Sequence, residues 1–515
     1  MVMTRTRGYL SDPASVRSIR DIVFLALTAV VAAGATRILV LPLSVIDWDE
    51  SIYLLVSRDI LNGQLPYQGT FDHKPVAVYY VFALAQLLFG EGVHAIRLLA
   101  AIASAATAFL LSLLLIRSTS AGVFASGAAG VIYALSSTIN EGLATNTEIL
   151  MNLYLAGVLL LANTGHMAER FSPGRGIVIG VLLGLMMHTN YLSGFIILGF
   201  CAAYALSLGS TLGFVPGLRI YLQNGAVIFS GFLGITTILL APIAVWSDLG
   251  AYFGKQASFL SGYSKDSSVT LLGTALVGYA HLLTLAAALA AFLVWGAIRD
   301  TPWPSRNRAI AWQLLVYLGF AFIACTASGH LYSHYFILLL PSLSIMSGLF
   351  LTFPIVAKYQ HYCAAGLILV SAVFLSVNKT HYQNGLAGYM GRVPDLPTEI
   401  AQDLKPELDP EDTVYVYDYQ PVLYYLLAVQ APTNYPFPWH HLDPRTARRL
   451  DFQPTAELAR IISQAPRFVI AGSDPAEGRY GEASQLLWDA LSRHYRLVKI
   501  YGKGTEAVRV YERLG

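Results

Sequence analysis

Charge is what this sequence has least of. Asp, Glu, Lys and Arg make up 12% of its 515 residues, against about 25% in soluble domains. Cysteine is nearly as scarce. Cys201, Cys325 and Cys363 all fall in apolar stretches, which excludes a disulfide framework and a thiolate zinc site and leaves three packing residues. There is no Gly-rich phosphate loop, and no basic stripe interleaved with aromatics, so a nucleic-acid partner is not expected. The net charge of +2 carries no message of its own. What remains is apolar: 55% hydrophobic residues and a mean hydropathy of +0.55, the composition of a polytopic α-helical membrane protein.

The little charge there is lies unevenly. Residues 377–515 carry 15 of the 33 Lys/Arg and 17 of the 31 Asp/Glu. This pattern predicts a membrane domain over 1–378 and a water-soluble domain over 379–515. A spanning helix needs about 20 apolar residues. Candidate stretches lie near 22–46, 92–116, 121–139, 147–163, 176–189, 191–209, 222–245, 270–298, 311–328, 335–353 and 362–378. That is eleven spans, with room for up to thirteen. Arg5, Arg7, Arg17 and Arg20 precede the first, which reads as an uncleaved helix rather than a signal peptide. Basic residues mark cytoplasmic loops. With eleven spans, Arg117, Arg170 with Arg175, Arg219, Arg299 with Arg306 and Arg308, and Lys358 share the N-terminal, cytoplasmic side. The loop 47–91 and the C-terminal domain then face the other side, as expected for a bacterial inner-membrane protein. Alternating patterns predict an α/β soluble domain, with strands at 413–419, 467–471, 496–501 and 507–511 and helices at 421–429, 455–463 and 483–494.

Against this background the first outer loop stands out. The first span runs into Asp47-Trp48-Asp49-Glu50, and Asp72-His73-Lys74-Pro75 follows. Carboxylates at a membrane boundary are costly unless they face water, a partner or a substrate. Between them, Ile52, Leu55, Val56, Ile60 and Leu61 recur at helical spacing, the pattern of an interfacial amphipathic helix. Val76 to Phe89 is apolar but too short to span. A carboxylate can serve as general base, and a lysine as a point charge for phosphate. The competing readings are a solvated cap for the acids and headgroup snorkelling for Lys74. Glu148 at the start of the fourth span is divided between capping and function, and Glu141 nearby reads as a cap. His330 and His334 could share a helix face beside Tyr335, as metal ligands, as phosphate or substrate contacts, or as packing; a divalent metal is possible, but no clear ligand set supports it. The Tyr-rich loop from Tyr252 to Tyr263 is long enough for a lid, and His188 with Asn190 reads as polar packing between helices.

The order Asp49-Glu50-Ser51-Ile52-Tyr53, Arg58-Asp59-Ile60-Leu61-Asn62-Gly63, Pro66-Tyr67 and Phe71-Asp72-His73-Lys74-Pro75 with Tyr79-Tyr80 resembles the lipid-linked-sugar glycosyltransferases of the GT-C fold. These include the aminoarabinose transferases and the protein O-mannosyltransferases. Glu148 and His334-Tyr335 with Pro341 fit the group more weakly, and the resemblance covers roughly 20–380. It implies a polyprenyl-phosphate sugar donor and an inverting transfer to a glycan, lipid or protein acceptor outside the cytoplasm. Asp49 would be the base, Lys74 would hold the donor phosphate, and Glu148 would be a second acid near the acceptor. Asp47, Glu50, Tyr53, Arg58, His73, His330, His334 and Tyr335 would complete the substrate site, with no metal assigned. Aminoarabinose transferases carry an arginine two residues after the Asp-Glu pair, where this chain has Ile52. Phosphate binding then falls on Lys74, with Arg58 or His330 and His334 as further candidates. The alternatives are a transporter or flippase of a lipid-linked glycan and a non-catalytic assembly subunit. Transporters place polar groups near the bilayer midplane in paired halves, whereas here the charge lies at one face.

Overall fold

A computed structural model describes residues 18–163, 170–263, 280–298, 303–504 and 507–514. Each of the eleven predicted spans coincides with a helix, although residues 270–279 of the eighth lie outside the described residues. Among the described residues seven helices are long and apolar enough to cross a membrane. The predicted spans at 121–139, 147–163 and 176–189 form shorter apolar helices, α5 (Val123–Ser136), α6 (Thr147–Asn163) and α7 (Pro173–Met187). The last span does not stop at 378. It continues through a 3-10 turn into a helix that ends at Tyr389.

Glycine sets how closely α7 meets α9 (Phe214–Trp246). A Cβ on Gly180 would lie 1.9 Å from the Ile228 carbonyl oxygen, and one on Gly231 would lie 2.2 Å from that of Ile177. Small residues permit such backbone approach where the surrounding lipid gives helices no hydrophobic drive to associate. Of the cysteines, Cys325 is buried and donates to the Tyr335 carbonyl at 3.0 Å, while Cys201 and Cys363 are half-buried. His188 and Asn190 do not pair with each other. His188 meets Thr236 at 3.1 Å, and Asn190 donates to Thr147 and Glu148.

The loop after α1 (Ile19–Arg37) holds two helices that anchor the rest: α2 (Trp48–Leu61) and α3 (Ala77–Phe89). The expectation of an interfacial α2 is corrected: Glu50 to Ser57 and Asp59 are all buried, so its polar side is covered by protein. Both helices touch the C-terminal domain. Arg58 donates to the carbonyls of Tyr424 and Val429, Tyr425 donates to Gln86, and the Phe71 amide donates to Asn434. That domain is built on a four-stranded sheet of order β1-β2-β4-β3, made of β1 (Val414–Tyr417), β2 (Phe468–Ala471), β3 (Tyr495–Tyr501) and β4 (Val508–Arg513). β1 and β2 are parallel and the other pairs antiparallel. Helices at Pro454–Ser463 and Glu482–His494 match the predicted ones; the predicted helix at 421–429 shortens to Val422–Leu426.

Candidate active site

The acid cluster is divided by helix geometry. Asp47 caps α2, its carboxylate accepting from the Asp49 amide at 3.1 Å. Glu50, at the third helical position, accepts from the amides of Ile46 and Asp47 and completes a capping box. Successive helical residues turn by about 100°, so the three carboxylates leave in three directions. Glu50 goes inward, fully buried. Arg97 of α4 (Val93–Ser118) grips it with two hydrogen bonds of 2.6 Å, and the Thr145 amide donates at 2.8 Å. Its expected place in the substrate site is therefore corrected: its oxygens are spent inside the protein, where an unpaired charge would be costly.

Asp49 points into a cavity of about 250 Å³ at the mouth of the helical domain. Lys74 Nζ lies 3.4 Å from its Oδ2, and the Tyr53 hydroxyl donates to the same oxygen at 3.0 Å. The Tyr67 hydroxyl donates to the Lys74 carbonyl, the Tyr79 hydroxyl donates to Asp72 at 2.8 Å, and the Thr70 amide donates to Asp59. These bonds fix the loop and aim the lysine. Asp47 faces a different group. Its Oδ2 accepts from Asn146 at 2.9 Å and lies 3.6 Å from His334 Nδ1, which meets Glu141 at 3.1 Å. Glu141 thus pairs across the cavity instead of capping a helix.

Burial, and then Asp49, push the Asp47 carboxyl up to about 7, against a lowering pull from His334. Burial would also raise Asp49, but Lys74 and His334 outweigh it and hold that carboxyl below its usual range. The two acids therefore differ in protonation near neutrality, with Asp49 the ionised one.

The other expected residues divide in the same way. His73, His330, His334 and Tyr335 line the cavity with Asp47, Asp49 and Lys74. Tyr53 reaches it through Asp49. Arg58 does not: its guanidinium is tied to the C-terminal domain, so the expectation of phosphate contact is corrected. Glu148 is fully buried at the start of α6, accepting from Thr147 and Asn190, and it does not line the cavity. The Tyr-rich segment is part of α10 (Leu249–Tyr263), which closes one wall with Phe259 stacked 4.5 Å from His73.

Missing from the expectations are Phe437, Trp439, His440 and Arg449, which supply the far wall from the C-terminal domain. The stretch Tyr435-Pro-Phe-Pro-Trp-His-His441 was the signal, being dense in aromatic and imidazole groups within a soluble segment. His440 is buried, which pushes its imidazole down to about 3. Among the described residues two triads could hold a cation: Asp72, His73 and His440, and Asp47, Glu141 and His334. The ligand atoms of each lie within 4.8 Å of one another.

Residues 73–233 match the family model described as dolichyl-phosphate-mannose-protein mannosyltransferase. No curated protein matches the chain in sequence. Among solved structures it is similar to ArnT from Cupriavidus metallidurans. In the apo state the identity is 14%, the TM-score 0.55, and 95% of this chain and 97% of that one are covered. With undecaprenyl phosphate bound, the identity is 15%, the TM-score 0.51 and the coverage the same. It is also similar to the archaeal oligosaccharyltransferase AglB from Archaeoglobus fulgidus, in complex with an inhibitory peptide and a dolichol-phosphate. There the identity is 13%, the TM-score 0.52, and 96% of this chain and 74% of that one are covered. These likenesses show a shared fold, and residues 73–233 match the mannosyltransferase family model.

Proposed function

We propose that this chain is an inverting glycosyltransferase that moves a sugar from a polyprenyl phosphate to an acceptor outside the cytoplasm, from a bacterial inner membrane. One observation carries the reading: an ionised Asp49 and Lys74, 3.4 Å apart, share a cavity at the mouth of a helical membrane domain. The structures bound to undecaprenyl phosphate and dolichol-phosphate support the donor class.

In the proposed step the acceptor oxygen attacks the anomeric carbon from the face opposite the phosphate. The new C–O bond forms as the anomeric C–O bond breaks, and the bonding pair leaves on the phosphate. Asp49 takes the acceptor proton. Lys74 meets the charge that develops on the departing polyprenyl phosphate, where electrostatic stabilisation counts most. Asp47 tunes Asp49, and His334 with Glu141 holds Asp47 in place.

A transferase converts labelled polyprenyl-phosphate sugar into acceptor-linked product in proteoliposomes, whereas a flippase moves the label across the bilayer and makes none. Product is expected. In Lys74→Ala the affinity for polyprenyl phosphate is expected to fall at least tenfold; unchanged affinity would remove Lys74 from the phosphate role.

The pH profile follows from Asp47. Below about 7 its carboxyl holds a proton; above, it is charged beside Asp49 and raises that neighbour's proton affinity. Transfer measured as kcat/KM is therefore expected to rise through about pH 7, and this limb is expected to flatten in Asp47→Asn. An identical limb in the variant would assign the titration to another group.

A further inference from the structure

A second cavity adjoins the first. It is an open groove of about 900 Å³, and Trp48, Phe437 and Trp439 line both. It reaches the carboxyl end of β1, where Asp418, just after Tyr417, lines it. Crevices beyond the carboxyl ends of parallel strands are the common ligand position of α/β sheets.

The backbone at this point is unusual. Asp418 has a φ of 48°, the left-handed region that a non-glycine residue enters at a cost. Its carboxylate is held by the Tyr480 hydroxyl at 2.6 Å and by Arg479 at 2.8 Å. Strain of this kind persists where the surroundings fix it, and it concentrates at binding sites.

The chemistry of the lining is specific. Aromatic side chains, Trp48, Trp439 and Tyr480, line the groove, the residue type that packs against the C–H side of a pyranose. Asp418 is paired with Arg479, and Asp443 lies 3.7 Å from Arg445. With Glu482 the groove carries three acids against two bases, a balance that disfavours a phosphate and leaves donors and acceptors for hydroxyls. The Arg479 side chain remains 64% exposed, so its remaining N–H groups are accessible.

We propose that this groove binds the neutral glycan portion of the acceptor and delivers its terminal hydroxyl past Trp48 to Asp49. The proposal rests on the transferase reading and adds the acceptor class to it. Trp48 makes the connection: it precedes Asp49 in sequence, and its ring lies 6.3 Å from that of Phe437.

The test uses the full chain in detergent with three labelled trisaccharides: mannotriose, galactotriose and N-acetylchitotriose. At least one is expected to bind saturably. Arg479→Gln and Trp439→Ala are each expected to weaken that binding at least tenfold, while Arg479→Gln leaves polyprenyl-phosphate affinity within twofold, which also verifies its fold. Failure of all three sugars to saturate, or unchanged binding in both variants, would overturn the proposal. The two readings separate cleanly. Groove-dependent sugar binding by a chain that transfers nothing supports the groove and overturns the transferase. Transfer with unchanged acceptor KM in both variants overturns the groove and leaves the transferase standing.

Discussion

Asp49→Asn is expected to lower turnover by between about 10²- and 10⁴-fold, the range that a positioned base contributes. The amide keeps the size of the side chain and can still accept from Tyr53, so the fold and the thermal unfolding midpoint should hold. What goes is the site for the acceptor proton and the partner of Lys74. Product formation from labelled donor is the measurement, with Asp47→Asn as the comparison. Asp47→Asn should match wild type below about pH 7 and fall short only above it, because there the wild-type gain comes from the charge next to Asp49. Turnover in Asp49→Asn within threefold of wild type would take the base role away from this residue.

Arg97→Met is the second large effect, and it acts on stability. Glu50 accepts from Arg97 twice and from three backbone amides, and both side chains are essentially unexposed. Removing one partner of a buried pair leaves the other charge stranded, at a cost of about 3–5 kcal/mol. Denaturant unfolding of the purified chain in detergent should read that loss. Glu50→Met combined with Arg97→Met should recover much of it, since an apolar pair strands no charge. A loss under about 1 kcal/mol in the single variant would mean that water reaches the pair. Turnover should fall as well, because the capping box that aims Asp47 and Asp49 includes Glu50.

These two sites bracket what can be read along the chain. The acids, the lysine and the helical spans are legible because they depend on local composition and spacing: a run of apolar residues, then charge at its end. Which acid faces the cavity is not legible. Glu50 is adjacent to Asp49 in sequence, and its inward turn is decided by Arg97, 47 residues away. Arg58 looked like a phosphate ligand by its place in the loop, yet its partners are carbonyls at Tyr424 and Val429, in a domain with no local link to it. Glu148 sits on the expected helix start, but Thr147 and Asn190 satisfy it within the bundle. His440 escaped for the same reason: the wall it forms exists only once the sheet domain is docked. Long-range pairing determined each of these outcomes, and periodicity carries no record of it.

That docking also orders events in the life of the chain. Asp49 and Lys74 are made early, while Trp439, His440 and Arg449 of the same cavity come more than three hundred residues later. At roughly 5–20 residues per second of synthesis, the half-walled cavity stands open for tens of seconds. The first helices can be inserted in the bilayer during that time with only one side of the site in place. Completion of the polypeptide is what encloses the site, so a truncated or stalled chain carries Asp49 and Lys74 without the wall opposite them.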